Sequence, residues 1–284
     1  MIALDSIKPL SVLMMGDAII DRYSFVKVTG KSAKDAILAS VRSYEEDYVG
    51  GIGAAASHIK DLCHKVDVFS NRKVTVAQKF VEDAHYRKVF SVNYNYEYDF
   101  PSQHTEPDIG AYDLVIVIDF GHGAMTRERI ERVSKEARFL AVNTQTNGTN
   151  YGFNLITKYP RADYVVLDEL EARLAASDKD GDIEDVILKL GYKKIIVTRG
   201  KLGAIGYDGA FERSPAMTEA VVDTLGAGDA FLSVTAPFAS IGTSTRDLLR
   251  LGNAAGAVKV GIIGHKSRVK LHDLERQLGI NYDG

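Results

Sequence analysis

The sequence predicts an α/β fold in which a mainly parallel β-sheet lies between layers of helices. Apolar runs of strand length alternate with helical patterns along much of the chain, and this alternation is typical of a doubly wound sheet. The runs at residues 11–15 and 114–118 are continuously apolar, as expected for parallel strands buried on both faces. A chain of 284 residues is long enough for one large α/β domain. We therefore expect a single domain over residues 1–284.

The individual elements follow from local patterns. The first strand ends at Gly16, and residues 22–48 are polar and mixed, which indicates an excursion away from the main sheet. Residues 88–93 alternate apolar and polar side chains, as a half-exposed strand does. Apolar runs predict further strands at residues 66–69, 114–118, 139–142, 164–167, 194–198 and 204–207. Helical patterns predict a helix that opens in the glycine stretch at residues 49–53 and contains residues 54–63, helices at residues 126–135 and 244–260, and two more that start near residues 168 and 229.

The composition excludes several classes of protein. Hydrophobic residues make up 45% of the chain and charged residues 26%, which is ordinary for a globular protein. A net charge of −3 without a basic block argues against a nucleic-acid partner. The single cysteine, Cys63, lies in an apolar helical pattern, so we expect it in the core and expect no disulfide. Because the sequence shows neither a membrane-length apolar run nor a signal peptide, we expect a cytoplasmic protein with no membrane partner.

The clearest functional signal is the nonapeptide at residues 223–231, Asp-Thr-Leu-Gly-Ala-Gly-Asp-Ala-Phe. It follows two valines, which predict an extended segment, and precedes an apolar helix. Gly226 and Gly228 can adopt positive φ and approach a ligand, and free amides at a helix start attract a phosphate oxygen. Asp229 would lie beside that anion. Because a carboxylate repels a phosphate, Asp229 is better suited to accept a proton than to bind the phosphate. An ordinary glycine turn with an acidic cap is the alternative.

Further candidate residues follow other strands. Asp21 lies near the carboxyl end of the first strand, where ligands collect in open α/β sheets, although a turn aspartate is the alternative. Gly50 and Gly51 allow the backbone to approach a ligand or allow close helix–sheet packing. Asp168 and Glu171 share one face of a first helical turn, where acidic residues also serve simply as caps.

Three stretches are ambiguous on the residues alone. Asp119 and His122 follow a buried strand and face the expected site, but a satisfied loop pair is favoured. The turn at residues 198–203 leads into a short strand and reads equally well as a simple hairpin turn. A tyrosine cluster fits an exposed or partner-covered surface better than a stacking site; it consists of Tyr94, Tyr96 and Tyr98.

The nonapeptide resembles the signature of the ribokinase-like (pfkB) carbohydrate kinases. The stretch at residues 12–23 resembles the opening of the same family, especially of the bacterial heptose-7-phosphate kinases. The resemblance implies a three-layer sandwich with a mainly parallel central sheet and a small β lid, here residues 23–48 and 86–98. It also implies transfer of the ATP γ-phosphoryl group to a hydroxyl of a sugar or sugar phosphate, such as a heptose phosphate.

The resemblance assigns roles to the candidate residues. It implies that Asp229 is the catalytic base and that Asp21 binds sugar hydroxyls. The implied anion hole is formed by Gly226, Ala227 and Gly228. Substrate contacts are also implied for Gly50 and Gly51. Nucleotide contacts are implied for Thr198, Gly200, Gly203 and Asn253.

Two metal ions follow from the same resemblance. Glu171 would organise Mg²⁺ and its waters together with Asp168, which replaces the family's asparagine. Asp223 would help to bind K⁺ near the glycine turn, as in some relatives. Magnesium is usually held through one or two carboxylates, waters and substrate phosphates, so the replacement at Asp168 is tolerable.

The sequence departs from the family pattern in two places. Alanines occupy residues 54–56, where the family has an asparagine that contacts the sugar, and a helix and strand are missing after Phe69. These departures motivate a second hypothesis, a catalytically weak sugar- or nucleotide-binding module that acts through a partner. A nucleoside kinase is the third. We also expect a homodimer formed through the lid, because pairing would cover exposed lid strands.

Overall fold

The computed structural model describes residues 2–71, 73–97, 105–218 and 220–280. Its strands are β1 (Ser11–Gly16), β2 (Ala18–Lys31), β3 (Leu38–Gly50), β4 (Lys65–Phe69), β5 (Lys73–Glu82), β6 (Arg87–Glu97), β7 (Leu114–Asp119), β8 (Leu140–Thr144), β9 (Tyr164–Asp168), β10 (Ile195–Thr198), β11 (Ala204–Tyr207) and β12 (Phe211–Ser214). Its α-helices are α1 (Gly51–Ser57), α2 (Arg127–Glu136), α3 (Glu169–Ala175), α4 (Ile183–Leu190), α5 (Ala227–Ser240), α6 (Thr245–Val260) and α7 (Leu271–Leu278).

The main sheet has eight strands in the order β12-β11-β10-β9-β8-β7-β1-β4. Strands β4, β1, β7, β8, β9 and β10 are parallel, and β11 and β12 complete the sheet as antiparallel strands. Helices α1, α5, α6 and α7 contribute to the core on one face, and α2, α3 and α4 contribute to the core on the other. The predicted α/β sandwich with a mainly parallel sheet is therefore confirmed.

Strand β7 shows why the apolar runs became central strands. All six of its residues are buried. Leu114, Ile116 and Ile118 pack into the core on the α5 side, whereas Val115 and Val117 pack into the opposite core. Successive side chains of a strand point to opposite faces, so a strand between two helical layers must be apolar throughout.

A second sheet of four strands, in the order β3-β2-β5-β6, forms the lid. Strand β2 begins two residues after β1 ends, so the chain passes directly from the main sheet into the lid. The sequence assigned the lid to residues 23–48 and 86–98 and missed β5, whose burial does not alternate cleanly along its length. Tyr98 lies outside the described residues.

The segment after Phe69 bears on the missing helix and strand. Strand β4 is the edge of the main sheet, and the next described strand, β5, already belongs to the lid. The described residues therefore place no further strand beside β4, in agreement with the shortened sequence. Cys63 is buried, as expected.

Two local predictions need correction. The helix begins at Gly51, within the glycine stretch expected to open it, but ends at Ser57 rather than near Cys63; residues 58–63 form turns with hydrogen bonds between residues three and four apart. The valines Val221 and Val222 belong to neither sheet. The amides of Val222 and Asp223 donate to the carbonyl of Val260 at the end of α6 instead. Among the described helices, none has the length and apolar character needed to cross a membrane.

Candidate active site

Two adjoining cavities lie where the carboxyl ends of the parallel strands meet the lid. The larger has a volume of about 540 Å³ and lies between lid strands β2 and β5 and the ends of β8, β9 and β10. The smaller has a volume of about 290 Å³ and lies between the turn after β10, the segment before α5, and α6. Thr198, Thr224 and Gly228 line both cavities. Ligands in the two cavities would therefore meet at the start of α5.

The start of α5 has the geometry of an anion-binding turn. Gly226 caps the helix with a left-handed backbone (φ 75°), and a Cβ there would lie 2.9 Å from the His265 ring, so only glycine fits. The amide of Ala227 donates to the carbonyl of Thr224. The amides of Gly226, Gly228 and Asp229 have no acceptor within the described chain, so of the three predicted anion-hole residues only Ala227 has its amide engaged within the turn. They lie at the positive end of a helix, where a phosphate oxygen would be stabilised.

Asp229 is buried in the first turn of α5, with 7% of its surface exposed. Its carboxylate accepts a hydrogen bond from the side-chain amide of Gln145, in the loop after β8. Burial raises the pKa of Asp229 to about 6, although the nearby His265 and the Gln145 hydrogen bond act in the opposite direction. A carboxylate with a pKa near 6 is ionised at neutral pH and is a better proton acceptor than an exposed aspartate.

Asp21 occupies the lid side of the larger cavity. It is 4% exposed, accepts a hydrogen bond from Lys79 on β5, and lies 3.2 Å from Nε2 of His265. Burial opposes ionisation, but the contacts with His265 and Lys79 outweigh it and lower the pKa of Asp21. A Cβ on Gly50 would lie 2.1 Å from the Asp21 carboxylate, so a larger residue at position 50 would clash with Asp21. Gly51, by contrast, lines the cavity itself.

Glu171 and Asp168 lie together at the start of α3 and both line the larger cavity. They form a capping box: the Asp168 carboxylate accepts from the amide of Glu171, and the Glu171 carboxylate accepts from the amide of Asp168. Glu171 also accepts a hydrogen bond from the amide of Thr146. Burial, followed by the charge of Asp168, raises the pKa of Glu171 to about 8.

This pair could hold magnesium only with help from a ligand. No group of three or more histidine, cysteine or carboxylate side chains that could bind a metal occurs among the described residues. Mg²⁺ commonly keeps several waters and uses one or two carboxylates plus substrate phosphates. Two carboxylates that face the cavity at the carboxyl end of β9 fit that requirement.

The predicted nucleotide-binding residues all line the smaller cavity; they are Thr198, Gly200, Gly203 and Asn253. Gly203 has a positive φ of 82°, and a Cβ there would lie 2.1 Å from the carbonyl of Ser214. The side-chain amide of Asn253 donates to the carbonyls of Ser214 and Pro215, so it fixes the wall of the cavity. Apolar side chains complete the lining: Met217, Val221, Phe231, Ala257 and Val260. An apolar slot of this kind suits an aromatic base.

Two of the predicted residues have other surroundings. Asp223 lines neither cavity and instead accepts hydrogen bonds from Tyr23 and Lys88 of the lid. Asp119 does not pair with His122, because it accepts hydrogen bonds from Tyr159 and from the amide of Gly121. The expectation that Asp119 and His122 form a pair in this loop is therefore wrong.

His122, by contrast, lines the larger cavity, with Nδ1 2.7 Å from the hydroxyl of Thr75. Its loop is held by the buried carboxylate of Asp17, which accepts hydrogen bonds from the amides of Phe120, His122 and Ala124. The tyrosine at position 94 is half-buried and accepts a hydrogen bond from Arg22 within the lid.

Sequence reasoning missed several residues of the larger cavity; they are Thr75, Lys79, Asn93, Gln145, Asn147 and His265. Gln145 and Asn147 follow the carboxyl end of β8, where ligands bind in such sheets, so position alone could have indicated them. No local pattern indicates Lys79 or His265, because their elements are far from Asp21 in sequence.

The structure is a three-layer α/β sandwich in which two cavities meet at the N-terminus of α5. The sequence model described as pfkB family carbohydrate kinase matches residues 76–269. The chain therefore belongs to the pfkB family of carbohydrate kinases, which confirms the resemblance drawn from the nonapeptide. It is an ATP-dependent carbohydrate kinase by class.

Curated relatives are similar at low identity. The chain is 24% identical to the D-beta-D-heptose 7-phosphate kinase of Bordetella bronchiseptica, over 89% of this chain and 91% of that protein. It is 22% identical to the bifunctional protein HldE of Shewanella denitrificans, over 95% of this chain and 64% of that protein. For HldE of Desulfatibacillum aliphaticivorans the identity is 30%, over 58% of this chain and 35% of that protein. The chain thus spans only part of these bifunctional relatives.

Solved structures show the fold. The ribokinase of Thermotoga maritima matches with a TM-score of 0.73 and 17% identity, over 95% of this chain and 99% of that chain. A nucleoside kinase of Burkholderia thailandensis, solved with inosine, matches with a TM-score of 0.69 and 16% identity, over 94% of this chain and 96% of that chain. The predicted ribokinase-like fold is confirmed.

Proposed function

We propose that this chain transfers the γ-phosphoryl group of ATP to a hydroxyl of a sugar phosphate, with Asp229 as the general base. One observation carries the proposal. The buried carboxylate of Asp229 lies at the N-terminus of α5, where the larger and the smaller cavity meet. A sugar hydroxyl in the larger cavity would be next to the carboxylate, and a nucleotide phosphate in the smaller cavity would be next to the helix amides.

The residues at the start of α5 would perform the chemistry. Bound ATP would supply the γ-phosphoryl group, and Mg²⁺ would offset part of its charge. As the sugar oxygen bonds to phosphorus and the bridging bond to the leaving ADP breaks, Asp229 accepts the hydroxyl proton. The amides of Gly228 and Asp229 stabilise the charge on the phosphoryl oxygens. Gln145 holds the Asp229 carboxylate in place through its hydrogen bond.

A sugar phosphate is favoured over an uncharged sugar by the lid side of the cavity. Lys79 and His265 both face Asp21 there, and the Lys79 side chain retains 15% exposure. A phosphate on the substrate could share the Lys79 ammonium with Asp21. The cavity of about 540 Å³ is ample for a sugar phosphate. The named activity of the Bordetella relative supports a heptose phosphate as the first candidate.

The polar groups of this cavity also bear on the missing family asparagine. Residues 54–56 lie on α1, and none of them lines the larger cavity. Asn93 from the lid, Asn143 from β8 and Asn147 from the loop after β8 line it instead. We propose that these amides replace the lost contact with sugar hydroxyls. Glu171 and Asp168 would bind the magnesium waters.

We also propose a homodimer formed through the lid. The outer strands β3 and β6 each have one unpaired edge among the described strands. Large apolar side chains are exposed on the lid; they are Val28, Leu38, Val41, Tyr44, Val49, Phe90 and Val92. Open edges and exposed apolar surface are both covered when two such sheets pack together.

The test is ADP release on addition of a panel of sugars, sugar phosphates and nucleosides to the protein with Mg-ATP. We expect the fastest turnover with a sugar phosphate, and we expect its loss in Asp229→Asn. Fastest turnover with a nucleoside would instead favour a nucleoside kinase. If ATP binds but no compound is phosphorylated, the chain is a binding module and the proposal fails.

A further inference from the structure

A lysine is buried behind the anion-binding turn. Lys259, in the last turn of α6, has 0% of its surface exposed. Its ammonium donates hydrogen bonds to two main-chain carbonyls, those of Leu225 and Gly264, each at 2.7 Å. Leu225 immediately precedes Gly226, which caps α5, and Gly264 belongs to the glycine loop after α6. The ammonium therefore joins the two loops that border the turn.

The carboxylates around Lys259 are engaged elsewhere. Asp223 pairs with Lys88 of the lid, and Asp21 pairs with Lys79. Asp229 accepts its hydrogen bond from Gln145. Burial lowers the pKa of Lys259, while the charges of Asp223, Asp229 and Asp21 oppose that shift. The lysine is thus held by carbonyl dipoles and by carboxylates at a distance, which is how a bound cation is held.

The sequence resemblance implied K⁺ near Asp223, and the donor set tests that expectation. K⁺ takes main-chain carbonyl oxygens as ligands, and an ammonium group is similar to K⁺ in size and charge. Here the carbonyls of Leu225 and Gly264 already receive the ammonium. The Asp223 carboxylate accepts from the amides of Leu225 and Gly264 and from Lys88. These residues do not fit an additional K⁺ ion.

We propose that the Lys259 ammonium takes the place of a monovalent cation behind the anion hole, so that the enzyme needs no K⁺. The lysine is a positioning residue, because it acts through the carbonyls that fix the turn before Gly226. This inference rests on the proposed function, since the turn matters for catalysis only if it binds the transferred phosphoryl group. A tethered cation would hold the turn in any salt.

The experiment compares wild type, Lys259→Ala, Lys259→Met and Lys135→Ala in KCl, NaCl and tetramethylammonium chloride at equal ionic strength. Lys135 is exposed on α2 and controls for the loss of one charge. We expect wild-type and Lys135→Ala turnover to be the same in all three salts. Lys259→Ala should lose about 10²-fold in turnover in tetramethylammonium, the typical cost of misplacing a group by about 1 Å. KCl or ammonium chloride should restore most of this loss.

Lys259→Met is the matched variant, because its side chain fills the space without a charge and so leaves no room for a cation. Its loss should not be restored by any salt. Melting temperatures give a second measure that does not depend on activity: KCl should raise that of Lys259→Ala only, since a cation that binds the folded state stabilises it. This measure remains decisive if the wild type phosphorylates nothing.

Two results would overturn the proposal. The first is activation or stabilisation of the wild type by K⁺ relative to tetramethylammonium, because a separate cation site would then exist beside the lysine. The second is a Lys259→Ala protein that is equally defective in every salt, or that folds in none while Lys259→Met folds. The lysine would then serve packing alone.

Discussion

Replacing Asp229 with asparagine should lower turnover and raise stability at the same time. Asparagine has nearly the same size, and its side-chain oxygen can still accept the hydrogen bond from Gln145. It cannot accept a proton from a sugar hydroxyl. General-base assistance contributes typically about 10²–10⁴-fold, so we expect turnover to fall by that order.

The gain in stability follows from the pKa of Asp229. Burial raises it from 3.8 to about 6 in the folded protein. The folded state therefore holds the proton more tightly than the unfolded state, and the resulting stability is present below pH 3.8 and lost as the pH rises through about 6. Each pKa unit is worth about 1.4 kcal/mol, so the wild type should lose about 3 kcal/mol by pH 8. The asparagine variant should not lose it.

The assay is thermal unfolding of both proteins between pH 4 and pH 8 without magnesium, together with turnover at pH 8. For a chain of this length, about 3 kcal/mol corresponds to a difference of roughly 5 °C or more in melting temperature. The difference in melting temperature between the two proteins should be small near pH 4, grow as the pH rises to about 6, and stay constant above it. Wild-type turnover should rise as the pH passes through about 6, because the base must be ionised.

Asp185→Asn is the matched control, since Asp185 is an exposed aspartate in the first turn of α4. It should leave turnover unchanged. A melting difference between wild type and Asp229→Asn that is the same at every pH would refute the raised pKa. Unchanged turnover in a folded Asp229→Asn protein would refute the role as base.

Three further predictions test the other parts of the site. Asp21→Ala should weaken sugar binding by about tenfold or more, the value of charge-assisted hydrogen bonds, and leave ATP binding nearly unchanged; equal losses by calorimetry would make Asp21 structural. Glu171→Gln should raise the magnesium concentration needed for half-maximal turnover, and an unchanged magnesium titration would leave Glu171 as a helix cap only. Phe90→Glu on the lid should convert a dimer to a monomer in sedimentation, whereas an already monomeric wild type would contradict the lid interface.

The parts of the fold that could be predicted are those with local causes. Strand β7 is apolar throughout because both of its faces are buried, and this pattern is visible in the sequence. The turn at Gly226 needs a positive φ and sits before an apolar helix, so the glycine and its neighbours mark it. Such features require no knowledge of distant residues.

The parts that could not be predicted depend on contacts between distant segments. Lys79 and His265 become part of the site only because the lid and the loop after α6 both close on Asp21. Strand β5 has no alternating apolar pattern in the sequence, because its burial changes along its length instead of alternating from residue to residue. Lys259 looks like an ordinary polar residue at the end of an amphipathic helix until the Leu225 carbonyl is placed beside it.

The distribution of charge explains why Asp229 can act as a base. A cation in direct contact would lower the pKa of its carboxylate and weaken it as a proton acceptor. Two lysines lie near Asp229, but their hydrogen bonds go to other groups: Lys79 donates to Asp21, and Lys259 donates to main-chain carbonyls. Within the part of the chain that the structure describes, the Asp229 carboxylate accepts a side-chain hydrogen bond from the neutral amide of Gln145 alone. The cations can therefore compensate the charge of the site while the reactive carboxylate stays free to accept a proton.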